Sequence, residues 1–482
     1  MNEKGLPPKR RQLKQHWGLF LAGAVSLAAY SGLVQRHLQT GTLTFGSVPA
    51  TLGWYTLAFL AYLGGLLWIE HRNGLSLKLV FGSALLFRLL LLITLPTLSG
   101  DVYRYVWEGH LITKGVSPYA YPVESPQLDH LDIPQRAQVD HASMASPYLP
   151  AAQALFVAVA GLFPLHPFYF QLVMTAFDLL SGLLLVLLLR LAHLPDYRSA
   201  IYLLNPLVIV EVAHGAHLDA WMVFLTLLAL WLTFTPRRPG ITPWLGPPIL
   251  ALAVLTKGLP LLALAVLVWR WRWQQIVIFG AALAIMIVPA GVQAGWGLSG
   301  PLDGAGLFGA LRIFIDRWNF NSSIFHWLEV NLLEVYPPLW ANRWARQIVV
   351  SVMLLVLLGV WLAARRLSAM RSLLRLMALP FMASILLSTT VHPWYALILL
   401  AFLPFLAPAE DESPWRWLAL APWVYLSWAL ALSYWTYLNP PALREFHWVR
   451  ATEWRPTLIL LAVYLLWWLW RQLLISRYAG QR

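Results

Sequence analysis

Apolar residues in this chain come in long, nearly unbroken runs, not in the alternation of half-buried strands or the narrow stripes of surface helices. The runs near 17–35, 52–69 and 79–97 are each long enough to cross a hydrocarbon core of ~30 Å as a helix. A polar stretch rich in Pro, Asp, His and Tyr follows, from about 98 to 150. Further apolar runs lie near 168–191, 199–214, 218–235, 245–270, 274–293, 347–364, 374–390, 394–408, 416–436 and 456–474. This pattern predicts an all-α, polytopic membrane protein with about 13 or 14 transmembrane helices, forming one unit over 1–482. Its first large loop is expected at 98–150, a second at 294–346 and a third polar segment at about 437–455. Residues 150–164 are expected to form a surface or re-entrant helix. The run 245–270 should be two short helices, hinged where Lys257-Gly258-Leu259-Pro260 interrupts it.

Composition agrees and narrows the class. Of 482 residues, 59% are hydrophobic and 11% charged, against roughly 25% charged in a soluble domain, so too few charges exist to give a chain of this size a polar skin. The absence of cysteine excludes disulfides, zinc-thiolate sites, iron-sulfur clusters and thiol catalysis together. The net charge of +13 is expected to anchor cytoplasmic loops, with no nucleic-acid partner. Lys4, Lys9, Arg10, Arg11 and Lys14 precede the first run without a signal-peptide cleavage pattern and read as a retained cytoplasmic anchor. Three crossings then put 98–150 outside the cytoplasm. The arginines at 190, 198, 237, 238, 270, 272, 365, 366, 371, 375, 471, 477 and 482 fall on the cytoplasmic side of the same scheme, which makes both termini cytoplasmic.

Ionisable groups at bilayer depth cost about 2.5–3.5 kcal/mol each on insertion scales, so those near span ends are candidates for function. After the third run the chain reads Gly100-Asp101-Val102-Tyr103-Arg104-Tyr105-Val106-Trp107-Glu108. In a helix, Asp101, Arg104, Tyr105 and Glu108 share one face and line one wall. A plainer reading stays open: Asp101 caps the helix and Arg104 pairs with Glu108. The segment Gly115 to Pro122, with Tyr119 and Tyr121, is a proline-framed aromatic turn suited to stacking on sugar or to the interfacial belt. A second cluster, Glu211 to Asp219, carries His214, His217 and Asp219, groups able to bind a divalent metal or phosphate, or to satisfy one another. Lys257 at the hinge and His392-Pro393-Trp394-Tyr395 at another helix end complete four clusters, all on one side under one topology.

These blocks resemble the integral-membrane glycosyltransferases of the GT-C fold, in particular the bacterial polyprenol-phosphate-mannose-dependent mannosyltransferase-like family. The likeness rests on GDVYRYVWEGHLITKGVSPYAYP (100–122), EVAHGAHLDAWMVF (211–224), LTKGLP (255–260), FNSSIFHWL (320–328) and HPWY (392–395), in that order. It implies an inverting hexosyltransferase, with mannose the expected sugar, that takes a β-linked polyprenyl-phosphate donor to an α-linked product. The acceptor would be a glycan or glycolipid at the outer face of the bacterial cytoplasmic membrane. Asp101 is then the catalytic base, and Arg104, His217, Lys257 and His392 are the cations for the departing lipid phosphate. Tyr105, Glu108, Tyr119 and Tyr395 are expected at the substrates. Glu108 and Asp219 are the candidates for a divalent cation (Mg2+ or Mn2+), although the paired aspartates of metal-dependent members are missing here.

A rival class is a secondary transporter or flippase of lipid-linked saccharides. Transporters carry internal repeats and ionisable groups near the midplane. No repeat is visible, and only Arg88 and Asp178 lie within spans, where they mark a path or pair with each other. A glycine-rich phosphate loop on alternating strands and helices is also missing, which speaks against a soluble nucleotide-sugar enzyme.

Overall fold

The computed structural model describes residues 8–40, 47–72, 74–235, 242–298, 304–409, 412–437 and 446–479. The described residues are helical with no strand; a single isolated bridge joins Phe320 to Thr390. The all-α, polytopic expectation holds. Eight described helices are long and apolar enough to cross a bilayer: Trp17–Gln39, Val48–His71, Pro167–Leu191, Trp273–Ala294, Pro338–Arg366, Met370–Leu387, Pro414–Thr436 and His447–Leu473. A ninth exists if Pro206–His214 and Asp219–Phe234, bent by 116°, count as one span.

The difference from the 13 or 14 apolar runs has a local cause, because several runs fold into short or broken helices. Leu77–Leu91, Pro150–Leu162, Trp244–Val254 and Pro393–Leu406 are all shorter than a full crossing. The run 245–270 breaks at the expected hinge: a helix ends at Val254, and Leu259–Ala263 resumes as a 3-10 turn. The third polar segment falls partly outside the described residues, and its end from His447 is already helix. Arg237, Arg238 and the side chains of the N-terminal basic cluster also lie outside the description.

The first loop is an ordered shelf. It opens with the Asp101–Thr113 helix, whose buried face meets the Pro150–Leu162 helix. Gly109 makes that approach: a Cβ there would lie 2.5 Å from the Phe156 carbonyl oxygen, a backbone atom that cannot step aside. Gly109→Ala should therefore push the two helices apart, at a cost of ~1–3 kcal/mol. A lowered unfolding midpoint in detergent is the expected result, and an unchanged midpoint would show that the contact is not limiting.

The run 199–214 ends in a π-helical turn, Val210–His214, a geometry frequent at functional sites. Beyond it Ala216 adopts φ 55, a left-handed conformation that costs an alanine about 1–2 kcal/mol. The break turns four polar residues, Glu211, His214, His217 and Asp219, into the protein interior, each at most 1% exposed.

Candidate active site

Five separate stretches, together with Met353 of the Pro338–Arg366 helix, close around one cavity of about 600 Å³. Asp101 and Arg104 come from the first-loop helix, 140–149 from the far end of that loop, and 256–262 from the hinge. The Gly309–Arg317 helix with Trp318 forms a further wall, and the segment from Ser384 to Tyr395 closes the last. One pole is polar, around Asp101, His141, Lys257 and His392. The rest is apolar, with Leu259, Leu262, Leu311, Phe314 and Met353 among its lining.

The Asp101 side chain is not used to cap its own helix. Gly100 is the N-cap, and its backbone N donates to Asp140 Oδ2 at 2.9 Å. A Cβ on Gly100 would sit 2.5 Å from that same carboxylate, so a larger residue there would displace Asp140. The capping position that spacing left open for Asp101 is held by Gly100, and Asp101 is the first helical residue. The Asp101 side chain remains 26% exposed, at the cavity wall. Burial pushes its carboxyl up, but the facing His217 and the charges of Lys257 and His392 outweigh burial and hold it below the usual carboxylate range. It is therefore ionised at neutral pH.

Lys257 Nζ lies 2.5 Å from Asp219 Oδ2 and 5.1 Å from the centre of the Tyr395 ring. Its place follows from the hinge, where the interrupted helix lets the side chain face the cavity instead of lipid. A stack of rings runs through this pole: Phe320 on His392 (4.8 Å), His392 on Trp394 (4.6 Å) and Trp394 on His217 (3.8 Å), of which His392 and Trp394 line the cavity. Phe320 is tied in by the bridge, its N donating to Thr389 O and its O accepting from Val391 N.

Of the predicted site residues, Asp101, Arg104, Lys257, His392 and Tyr395 line the cavity. Arg104, assigned to phosphate, is largely spent: its guanidinium donates to the carbonyls of Asp140, His141 and Met144 and reaches Glu108 at 3.4 Å. It clamps the shelf and supplies charge without open donors on that side. The plainer Arg104 to Glu108 pairing is real. Glu108 is turned from the cavity and accepts from Ser146 and Gln153. Burial pushes its carboxyl up, against the opposing pull of Arg104. Tyr105 is buried in stacking with Phe156, and the Tyr119 hydroxyl donates to the Tyr148 carbonyl. His217 is fully buried behind Asp101, between two carboxylates, and does not line the cavity.

The metal expectation fares poorly on donor chemistry. Asp219 is taken by Lys257 and Glu108 by Arg104, Ser146 and Gln153, so the two carboxylates do not share a site. Among the described residues no group of three or more His, Asp or Glu could hold an ion. The residues therefore do not fit a divalent cation, and no step below passes through one.

Sequence reasoning missed His141 and Trp318, whose rings meet at 4.5 Å over the cavity and join the two large loops. It also gave no role to Glu211 or Tyr434, which lie behind Asp101. The first pair had no signal beyond aromatic abundance; Glu211 was visible only as the start of a polar cluster inside an apolar run.

Comparison with known proteins bears on this site. The family model for the alpha-(1->6)-mannopyranosyltransferase N-terminal domain matches residues 18–273, more than half of the chain. The chain belongs to this family. It is also 26% identical over 246 residues to alpha-(1->6)-mannopyranosyltransferase A of Mycobacterium tuberculosis (strain ATCC 25618 / H37Rv), an alignment covering 43% of each protein. The chain thus spans under half the length of that relative. The family-matched part contains Asp101, Arg104, Glu211, His217, Asp219 and Lys257, while His392, Trp394 and Tyr395 lie beyond it. Asp101, His141 and Lys257 of the polar pole thus lie in the family-matched part, and His392 of that pole comes from the second half of the chain.

Proposed function

We propose that this protein is a membrane-embedded glycosyltransferase that moves a mannosyl group from a polyprenyl-phosphate-linked donor to a hydroxyl of a glycan or glycolipid. The observation that carries the reading is the two-ended cavity: the ionised Asp101 carboxylate and the Lys257 ammonium at one pole and a long apolar wall at the other. Leu261 and Ile315, both at its lining, are 47% and 56% exposed, so the apolar end faces outward where lipid would lie. A donor with an isoprenoid tail and a phosphosugar head has the same two ends. A soluble nucleotide sugar has no use for the apolar one.

In this mechanism the Asp101 carboxylate accepts the proton of the acceptor hydroxyl as that oxygen attacks the anomeric carbon. The bond from the anomeric carbon to the phosphate oxygen breaks, and polyprenyl phosphate leaves with the electron pair. Attack opposite the leaving group inverts a β-linked donor to an α-linked product. Lys257 is the nearest cation for the departing phosphate, supported by the charge of Arg104; burial lowers the His392 pKa to about 3, so its neutral ring can offer a hydrogen bond but no charge. The family membership supports mannose as the sugar. The topology that goes with this reading keeps both termini cytoplasmic and the cavity on the outer face of the cytoplasmic membrane, with 98–150 and 294–346 as the loops that build it.

Turnover with a series of mannosyl-phosphate donors of decreasing isoprenoid length tests the reading. Each buried CH₂ contributes about 0.8 kcal/mol, so removing a few isoprene units should raise donor KM by at least about ten-fold with kcat little changed. Equal KM across the series, or efficient turnover of a nucleotide-mannose, would remove the lipid-linked donor.

A further inference from the structure

Behind Asp101 lies a chain of buried polar groups that the transfer step does not touch. Asp101 Oδ2 is 3.7 Å from Nδ1 of His217, and the ring's other nitrogen, Nε2, is 3.1 Å from Glu211 Oε2. Glu211 is 1% exposed, and the Tyr434 hydroxyl lies 2.8 and 2.9 Å from its two oxygens, donating its proton between them. Burying a carboxylate this deeply is costly unless it is held on all sides and used. Here its partners are one tyrosine and one histidine, and the histidine faces the base.

We propose that Glu211 is a positioning residue for the transfer reaction: through His217 it fixes the carboxylate of Asp101 at the cavity wall. The proposal rests on the assignment of Asp101 as base in the function proposed above. Three local features serve the placement. The imidazole lies nearly parallel (14°) against Trp394 at 3.8 Å, which fixes the plane of the ring. The His217 backbone N donates to the Glu211 carbonyl at 3.1 Å, closing the turn that brings both side chains together. Gly215 makes that turn possible, because a Cβ there would lie 2.7 Å from both the Glu211 carbonyl oxygen and His217 Cδ2. The π-helical turn and the left-handed Ala216 thus have a use: they aim one imidazole at two carboxylates.

The chemistry is specific about what each partner does. An imidazole with a proton on each nitrogen is a cation that faces Glu211 at 3.1 Å on one side and Asp101 at 3.7 Å, beyond hydrogen-bond length, on the other, and attracts both carboxylates by charge. Held that way, it engages one oxygen of Asp101 and leaves the second to meet the acceptor hydroxyl. Without Glu211 the ring keeps its stacking partner but loses what orients its far nitrogen, and Asp101 gains freedom to turn. Misplacement of a reacting group by about 1 Å costs on the order of 10²-fold in rate. Outer partners of a functional histidine are worth a similar 10- to 100-fold where they have been measured at metal sites.

The experiment is steady-state mannosyl transfer from a polyprenyl-phosphate mannose by the full chain in detergent or proteoliposomes. Glu211→Ala, Glu211→Gln and Tyr434→Phe are compared with wild type and with Asp101→Asn. The expected result is a kcat lower by on the order of 10²-fold in Glu211→Ala, with donor KM within about three-fold of wild type. Glu211→Gln, which keeps an acceptor oxygen for His217, should recover part of the loss. Tyr434→Phe, which only loosens Glu211, should lose about two- to ten-fold. A purely structural Glu211 would move the unfolding midpoint or KM and leave kcat per folded enzyme alone, and that outcome overturns the proposal. So does a kcat within two-fold of wild type in Glu211→Ala while Asp101→Asn is inactive, and in that case the base assignment survives. An active Asp101→Asn removes both assignments together. Where Glu211→Ala is not recovered folded, Glu211→Gln and Tyr434→Phe decide by the same kcat criterion.

Discussion

Asp101→Asn is expected to lower mannosyl transfer by on the order of 10²–10⁴-fold, the range that general-base catalysis supplies, with folding and donor binding near wild type. The substitution is close to isosteric and removes only the charge and the proton-accepting oxygen. Because Gly100 is the N-cap and the Asp101 side chain makes no cap bond, the exchange does not cost the helix its start. The pH dependence sharpens the test. His217, Lys257 and His392 outweigh burial and hold the Asp101 carboxyl below its usual range, so the basic form persists at neutral and mildly acid pH. It is lost only as pH falls through that lowered value. The acid limb of kcat/KM should therefore lie below about 3.9, the ordinary aspartate value, with a flat profile between roughly pH 5 and 7. An acid limb near 6.5 would point to a histidine as the base. Transfer by Asp101→Asn within ten-fold of wild type would remove this residue from the mechanism.

Much of this site was legible before any coordinates, for physical reasons that differ from residue to residue. The spacing of Asp101, Arg104, Tyr105 and Glu108 puts them on one face if the segment is helical, and the Asp101–Thr113 helix meets that condition. The hinge at Lys257 follows from Gly258 and Pro260, which interrupt an otherwise helical run. What spacing cannot say is which member of a helical face looks into a cavity. Asp101 and Arg104 do, whereas Tyr105 and Glu108, on the same face by spacing, pack against Phe156 and Gln153 from the neighbouring helix. The burial of His217 was hidden for another reason. A π-helical turn departs from the 3.6-residue period on which helical reading rests, and the rotation it introduces turns Glu211 and His217 inward together. The span count was affected in the same way, since apolar runs measure hydropathy and not the continuity of a helix. The ring stack at His392 and Trp394 pairs with Asp101 across nearly 300 residues of chain, and no local pattern encodes that distance.

The second large effect is expected at Arg88, and it bears on whether the chain transports or transfers. Arg88 is fully buried; its Nε donates to Asp178 Oδ2 at 2.6 Å, and its Nη1 donates to the carbonyls of Ala84 and Leu203. Neither Arg88 nor Asp178 lines the cavity. Their charges are spent on each other and on the backbone where the Leu77–Leu91 helix meets Pro167–Leu191, which makes them a staple between helices and not stations on a path. Arg88→Met should therefore destabilise the fold by about 3–5 kcal/mol, because it strands the Asp178 carboxylate in an apolar interior. Arg88→Met combined with Asp178→Leu should recover most of that loss, since replacing a whole buried pair by apolar groups is often neutral. Unfolding in a denaturing-detergent titration reads the stability, and mannosyl transfer by the folded fraction reads the function. A folded double variant with near-normal transfer is the expected outcome. A double variant that folds but has lost all activity would mean that the pair carries protons or substrate, and the transporter reading would regain its footing.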